Sequence, residues 1–175
     1  MRESIETIEE VKPKQFLKIL SIIILFLVVV YFLLYPFGFQ IVESFIINYK
    51  IKDNIINFKD NKVIFEKEIY NELKNIYYLN ERDEFKLCLM GVKVGNLYFI
   101  NKIFKPKTYS ANFNEVVAER CPNNTLIDLH KHPFRHCIFS EQDINSYNLI
   151  KKENDKILMI VMCEEGRFNF YDGNI

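Results

Sequence analysis

The chain has no net charge to draw a polyanion: 23 Lys and Arg are balanced by 23 Asp and Glu over 175 residues. Without a basic field, no nucleic-acid partner is expected. The four cysteines, Cys88, Cys121, Cys137 and Cys163, include no C-x-x-C pair. That spacing excludes a thiolate zinc knuckle and a thioredoxin-like redox site, and most of the four read as buried thiols. No internal repeat or low-complexity tract is present, so solenoids and propellers are excluded. Histidine is scarce, with three in all, and every one lies in the stretch LHKHPFRHCIFSEQD as His130, His132 and His136. The length leaves room for one domain and an appendage, since a domain takes roughly 100 to 200 residues.

The appendage is at the N-terminal side. From Ile19 to Val42 the sequence ILSIIILFLVVVYFLLYPFGFQIV carries no charged side chain. Roughly 20 such residues in a helix cross a hydrocarbon layer about 30 Å thick, and the helix satisfies its own backbone groups there. A cleaved signal peptide would show a shorter apolar run and small residues at a cleavage site, and neither is visible. The expectation is an uncleaved single-span anchor over residues 19–42, preceded by a flank at 1–18, with Pro36 and Gly38 marking its exit and Tyr31 and Tyr35 near the headgroups. Arg2, Lys12, Lys14 and Lys18 on one side are matched by Lys50, Lys52, Lys59 and Lys62 on the other. The positive-inside rule therefore assigns no orientation.

Residues 43–61 alternate polar and apolar in short steps and read as a juxtamembrane connector. From Lys62 the pattern becomes that of a mixed α and β domain reaching to residue 175. KVIF is a short strand, and Ile69, Leu73, Ile76 and Tyr77 recur at helical spacing. FKLCLMGVKVGNLYFINKIF reads as two strands about Gly95 and Asn96. Residues 105–123 read as a loop with one helical turn near Asn114 to Glu119. NTLIDLH is a further strand, SEQDINSYNLIKKE a capped helix, and KILMIVMC with RFNFYD a final strand pair turned at Glu165 and Gly166.

His130 and His132 are two apart at the end of a predicted strand, so both imidazoles project from one face. Pro133 stops that strand. After the spacing H-x-H-x7-S-x-x-D, Asp143 offers a carboxylate from the start of a helix. Two imidazoles and a carboxylate are a ligand set used for catalytic zinc, with water at the fourth position. A carboxylate elsewhere must then take the water's proton. Glu84, at the start of a strand that could lie beside the histidine strand, is the candidate. Each piece has a plainer reading: S-x-x-D before an apolar-periodic run is also a capping box, and Glu84 belongs to a charged turn with Glu81 and Asp83. His136 reads as an exposed loop residue.

H-x-H-P followed at this separation by S-x-x-D resembles the signature of the JAMM (MPN-plus) metalloproteases, zinc isopeptidases that remove ubiquitin or ubiquitin-like proteins from their targets. The family's upstream Glu, followed by a hydrophobic strand and Gly near E-x6-G, is matched by Glu84 to Gly91. The resemblance covers about residues 62–175 and implies a curved sheet flanked by helices. It implies one Zn2+ held by His130, His132 and Asp143, Glu84 as general acid and base, and Ser140 as hydrogen-bond donor to the developing oxyanion. Lys131 stands where the family often has Ser or Thr and is expected to point away from the metal. The insertions with which eukaryotic members grip one ubiquitin linkage are absent, so the resemblance is to a minimal, prokaryotic-type member. A disulfide between Cys137 and Cys163 is a further expectation if the domain faces an oxidising space. The activity expected is hydrolysis of peptide or isopeptide bonds at a membrane, with a ubiquitin-like modifier or modified protein as partner. The competing readings are a non-catalytic MPN-type scaffold and a zinc hydrolase of small amides.

Overall fold

Every residue of the strand Thr125–Lys131 is buried, because it lies inside an eight-stranded sheet with a helix against each face. The computed structural model describes residues 13–46, 48–111, 116–132 and 136–173. The flank before Pro13, residues 112–115 and Pro133 lie outside them. Two compact units are distinguished, Met1–Phe39 and Gln40–Ile175.

Helix α1 runs Pro13–Ile46, and its part up to Phe39 is what is described of the first unit. Its segment Gln15–Phe32 is long and apolar enough to cross a membrane. The helix runs through Pro36 and Gly38 instead of ending there. A proline removes one backbone donor, whereas unwinding an apolar segment would leave several backbone groups without partners.

In the second unit the chain order is β1 (Tyr49–Lys50), β2 (Ile55–Phe58), β3 (Asn61–Phe65), α2 (Lys67–Leu79), β4 (Phe85–Val94), β5 (Leu97–Phe104), β6 (Thr108–Ala111), β7 (Val116–Ala118), β8 (Thr125–Lys131), α3 (Glu141–Glu153), β9 (Leu158–Glu164) and β10 (Arg167–Tyr171). The large sheet has the order β1-β10-β9-β8-β4-β5-β3-β2. The architecture is thus mixed α and β, as the sequence pattern implies.

Residues 43–61 are more than a connector, since β1 and β2 join the two edges of the sheet. Ile56 and Phe58 alternate into the core at 0% and 1% exposure. Asp53 and Asn54 both take positive φ, 52° and 61°, in the two-residue turn between Lys52 and Ile55. These residue types tolerate that geometry better than most. Of the helical turn expected near Asn114 to Glu119, Asn114 and Glu115 lie outside the described residues, and Val116–Ala118 forms strand β7, paired antiparallel with β6. Val116 and Val117 are β-branched and favour extended backbone, and the Tyr109 hydroxyl donates to Glu119 across the pair at 3.1 Å.

Alternation along β8 sends Ile127 and Leu129 into the main core, which Leu73 of α2 also enters. The opposite face carries Asp128, His130 and His132 towards α3, whose Tyr147 packs on Ile157 and Met159. Gly91 sits at a bulge in β4, where any Cβ would strike the Phe99 carbonyl. Only glycine fits so close a backbone approach.

Candidate metal centre

The centre is assembled from three elements. His130 is in β8, His132 just beyond it, and Asp143 is at the third position of α3. Ser140 caps that helix: its hydroxyl accepts from the Asp143 amide at 3.1 Å, and the Ser140 amide donates back to Asp143 Oδ2 at 2.8 Å. The Ser140 hydroxyl also donates to Oδ2 at 2.7 Å. The capping box and the metal-ligand reading are therefore compatible. The box holds one carboxylate oxygen, and the carboxylate as a whole is turned towards the imidazoles.

His130 Nε2 lies 3.4 Å from Asp143 Oδ1, and His132 Nε2 lies 3.5 Å from Oδ2. One ligand atom from each of the three residues falls within 4.8 Å of the others. Bonds of about 2.0 to 2.1 Å in a tetrahedral site put neighbouring ligand atoms about 3.3 to 3.4 Å apart. The observed imidazole–carboxylate spacings are close to that value and longer than good N–H···O hydrogen bonds, which run about 2.7 to 3.2 Å. His130 Nε2 and His132 Nδ1 are buried without a hydrogen-bond partner among the described residues. Buried polar atoms rarely remain so without a reason, and a cation between His130 Nε2 and Asp143 would supply one for His130; His132 faces Asp143 through Nε2, and its Nδ1 lies on the other side of the ring. This group can hold a metal ion.

Burial alone would raise the Asp143 carboxyl. The two imidazoles and the Ser140 hydroxyl outweigh it and hold the group well below the ordinary carboxylate range. The start of α3 adds the favourable end of the helix dipole. The ligand is a carboxylate at neutral pH.

Glu84 is buried at 8% exposure and immediately precedes β4. Phe85 pairs with Lys131 and Lys86 with His130 in the antiparallel ladder. Continuing the register by one residue sets Glu84 across from His132, on the same face as the ligands. The plainer reading of Glu84 as a solvated turn acid does not survive its burial. Lys131 does point away from the centre: its amine donates to carbonyls of Asn80, Glu81 and Asp83.

Several neighbours were not foreseen. His136 is half-buried instead of exposed and stacks on His132, with centroids 5.6 Å apart and planes 21° from parallel. Phe139 meets the His130 ring edge-on at 6.2 Å. Lys86 and Asp128 form an ion pair at 2.9 Å beside His130. The only sequence signal for that pair is the period of two that puts Asp128 on the histidine face. Asn169 Nδ2 donates to the Cys137 carbonyl at 2.7 Å, a contact that nothing local in the sequence announces.

The cysteines are paired, not free thiols. Cys137 joins Cys163 with Cα atoms 5.1 Å apart, and Cys88 joins Cys121 at 5.6 Å. The first pairing is the one expected beside the ligands. β9 lies parallel to β8 with Val161 next to His130, which carries Cys163 to the strand end where the loop holding Cys137 returns.

No family model matches the sequence, and no curated protein matches it at significance.

Proposed function

We propose that this chain is a membrane-anchored zinc metallopeptidase of JAMM type that hydrolyses peptide or isopeptide bonds. The observation that carries the reading is the convergence of His130, His132 and Asp143 with a buried Glu84 across from His132. The chemistry a zinc ion supplies when bound is Lewis acidity, which brings the pKa of water from about 15.7 towards about 7.

The protein's own groups do the rest. His130, His132 and Asp143 hold the ion, and Glu84 accepts the proton of the attacking water and returns it to the leaving amine. Ser140 donates to the oxygen that gains charge at the scissile carbonyl. Its hydroxyl donates to Asp143 Oδ2 in the structure, so donation to the substrate requires the hydroxyl to turn. Fixed α3 geometry keeps the rest of the residue in place.

The substrate proposed is a flexible tail ending in an amide or isopeptide linkage, as in a ubiquitin-like modifier joined to lysine. The exposed strand β6 pairs with β7 alone among the described strands, and its other edge suits a tail laid down as an added strand. Helix α1 is the anchor, which confines activity to conjugates near the membrane. Two disulfides favour the oxidising face for the domain, so thiol labelling of intact cells should require prior reduction.

Zinc analysis of the purified full-length chain tests the reading first. About one equivalent is expected, and less than about a tenth would favour a scaffold. Cleavage of a fused ubiquitin-like protein and of its lysine conjugate is then compared with cleavage of small amides. Undiminished turnover in Glu84→Ala would remove Glu84 from the proton-transfer role.

A further inference from the structure

Between the two ligand histidines stands a lysine, and it is one of the most deeply buried residues in the chain. Lys131 is 1% exposed. Its ammonium donates to the carbonyls of Asn80 at 2.6 Å, Glu81 at 2.6 Å and Asp83 at 3.1 Å, and it lies 5.4 Å from the centroid of the Tyr77 ring. An ammonium has three donors, and all three are committed to one short segment, the loop between α2 and β4. Lysine is almost never fully buried unless its charge is compensated. Here the compensation comes from carbonyls at and beyond the C-terminus of α2, where the helix dipole also favours a cation.

Glu84 is the next residue after that loop. Because Lys131 is an odd position of β8 and the ligands are even, one strand reaches to both faces of the sheet. On one it presents two imidazoles, and on the other it grips the segment that delivers Glu84. Any movement of residues 80–83 would strip hydrogen bonds from a buried charge.

We propose that Lys131 is a positioning residue: it clamps the Asn80–Asp83 loop and so fixes Glu84 beside the metal ligands carried by the same strand. The assignment rests on the reading of Glu84 as proton carrier, and its test separates the two. Backbone order parameters of the full-length chain in micelles, without added metal, report the clamp directly. Residues 80–84 should be rigid, near about 0.85, in the parent protein and fall below about 0.6 in Lys131→Met. In the zinc-loaded variant, turnover should drop about 100-fold, the cost of a misplaced group, while zinc content stays at the parent level and KM stays within about twofold.

Unchanged order parameters in the variant would overturn the clamp. A mobile loop with full turnover would overturn its bearing on Glu84, as would a loss of turnover that merely follows a loss of zinc. If Lys131→Met does not fold, the parent decides: its Lys131 ammonium should show through-hydrogen-bond coupling to the three carbonyl carbons, and a freely exchanging ammonium on a mobile loop would refute the proposal. A parent that binds no zinc yet keeps a rigid loop would defeat the enzyme reading and leave the clamp standing.

Discussion

The two faces of β8 are made of the same seven-residue strand and do opposite things. Towards α2, Ile127 and Leu129 are wholly buried in the main core, and Lys131 uses all its donors on backbone. Towards α3, His130 and His132 turn their Nε2 atoms to Asp143 at 3.4 and 3.5 Å, the spacing of neighbouring ligands around one ion. One side carries core packing and a fully bonded lysine, and the other carries a group that could hold a metal ion. Packing and filled hydrogen bonds fix position, whereas imidazole and carboxylate atoms converging on one point can hold a cation.

Substitutions on each face can break that distinction. The largest effect is expected from Glu84→Gln, which keeps shape and removes the proposed proton acceptor. Turnover should fall by about 100- to 10,000-fold with zinc content unaltered, as measured by stopped assays and metal analysis. On the dry face, Leu129→Ala should cost about 2 to 5 kcal/mol of stability in denaturant titration, with activity per folded molecule retained. If the Leu129 variant instead lost zinc while still folded, the two faces would not be separable.

The disulfide beside the ligands gives a smaller, intermediate effect. Replacing Cys137 and Cys163 together by Ser should lower stability by about 2 to 4 kcal/mol in thermal unfolding, in line with a bridge closing a loop of sequence separation 26. The smallest stability change is expected at Ser140. Ser140→Ala removes the cap and should cost about 0.5 to 2 kcal/mol. Its activity sharpens the comparison, because loss of an oxyanion donor predicts a fall of about 100- to 1,000-fold, whereas a pure cap would leave turnover near the parent value.

Much of the histidine face was legible in the linear pattern because its signals are local. Two histidines separated by one residue share a face of any strand, and Ser140 with Asp143 makes a helix start wherever it occurs. Glu84 could be ranked only as a candidate, since nothing in the linear order fixes which strand neighbours β8. The hairpin β6–β7 was misread because a short Val-Val run within a polar stretch carries too little periodicity to distinguish a turn of helix from a strand. The edge strands β1 and β2 were taken for a connector because their alternation is only two to four residues long, and because the partner of β1, strand β10, lies far along the chain. The cysteines were misjudged for a related reason. Pairing Cys88 with Cys121, and Cys137 with Cys163, depends on which segments the fold brings together, not on spacing.

By itself the sequence determined the apolar helix, the order of most elements, and three candidate ligands with their capping serine, all of which follow from periods of two and 3.6 and from residue chemistry. Tertiary structure alone decided that β4 lies antiparallel against β8 in the register that puts Glu84 across from His132. It also decided that the lysine between the ligands reaches back to hold the loop before Glu84. Both depend on contacts between segments some fifty residues apart, whose geometry is set by closure of the whole sheet around its core and is written in no single stretch of the chain.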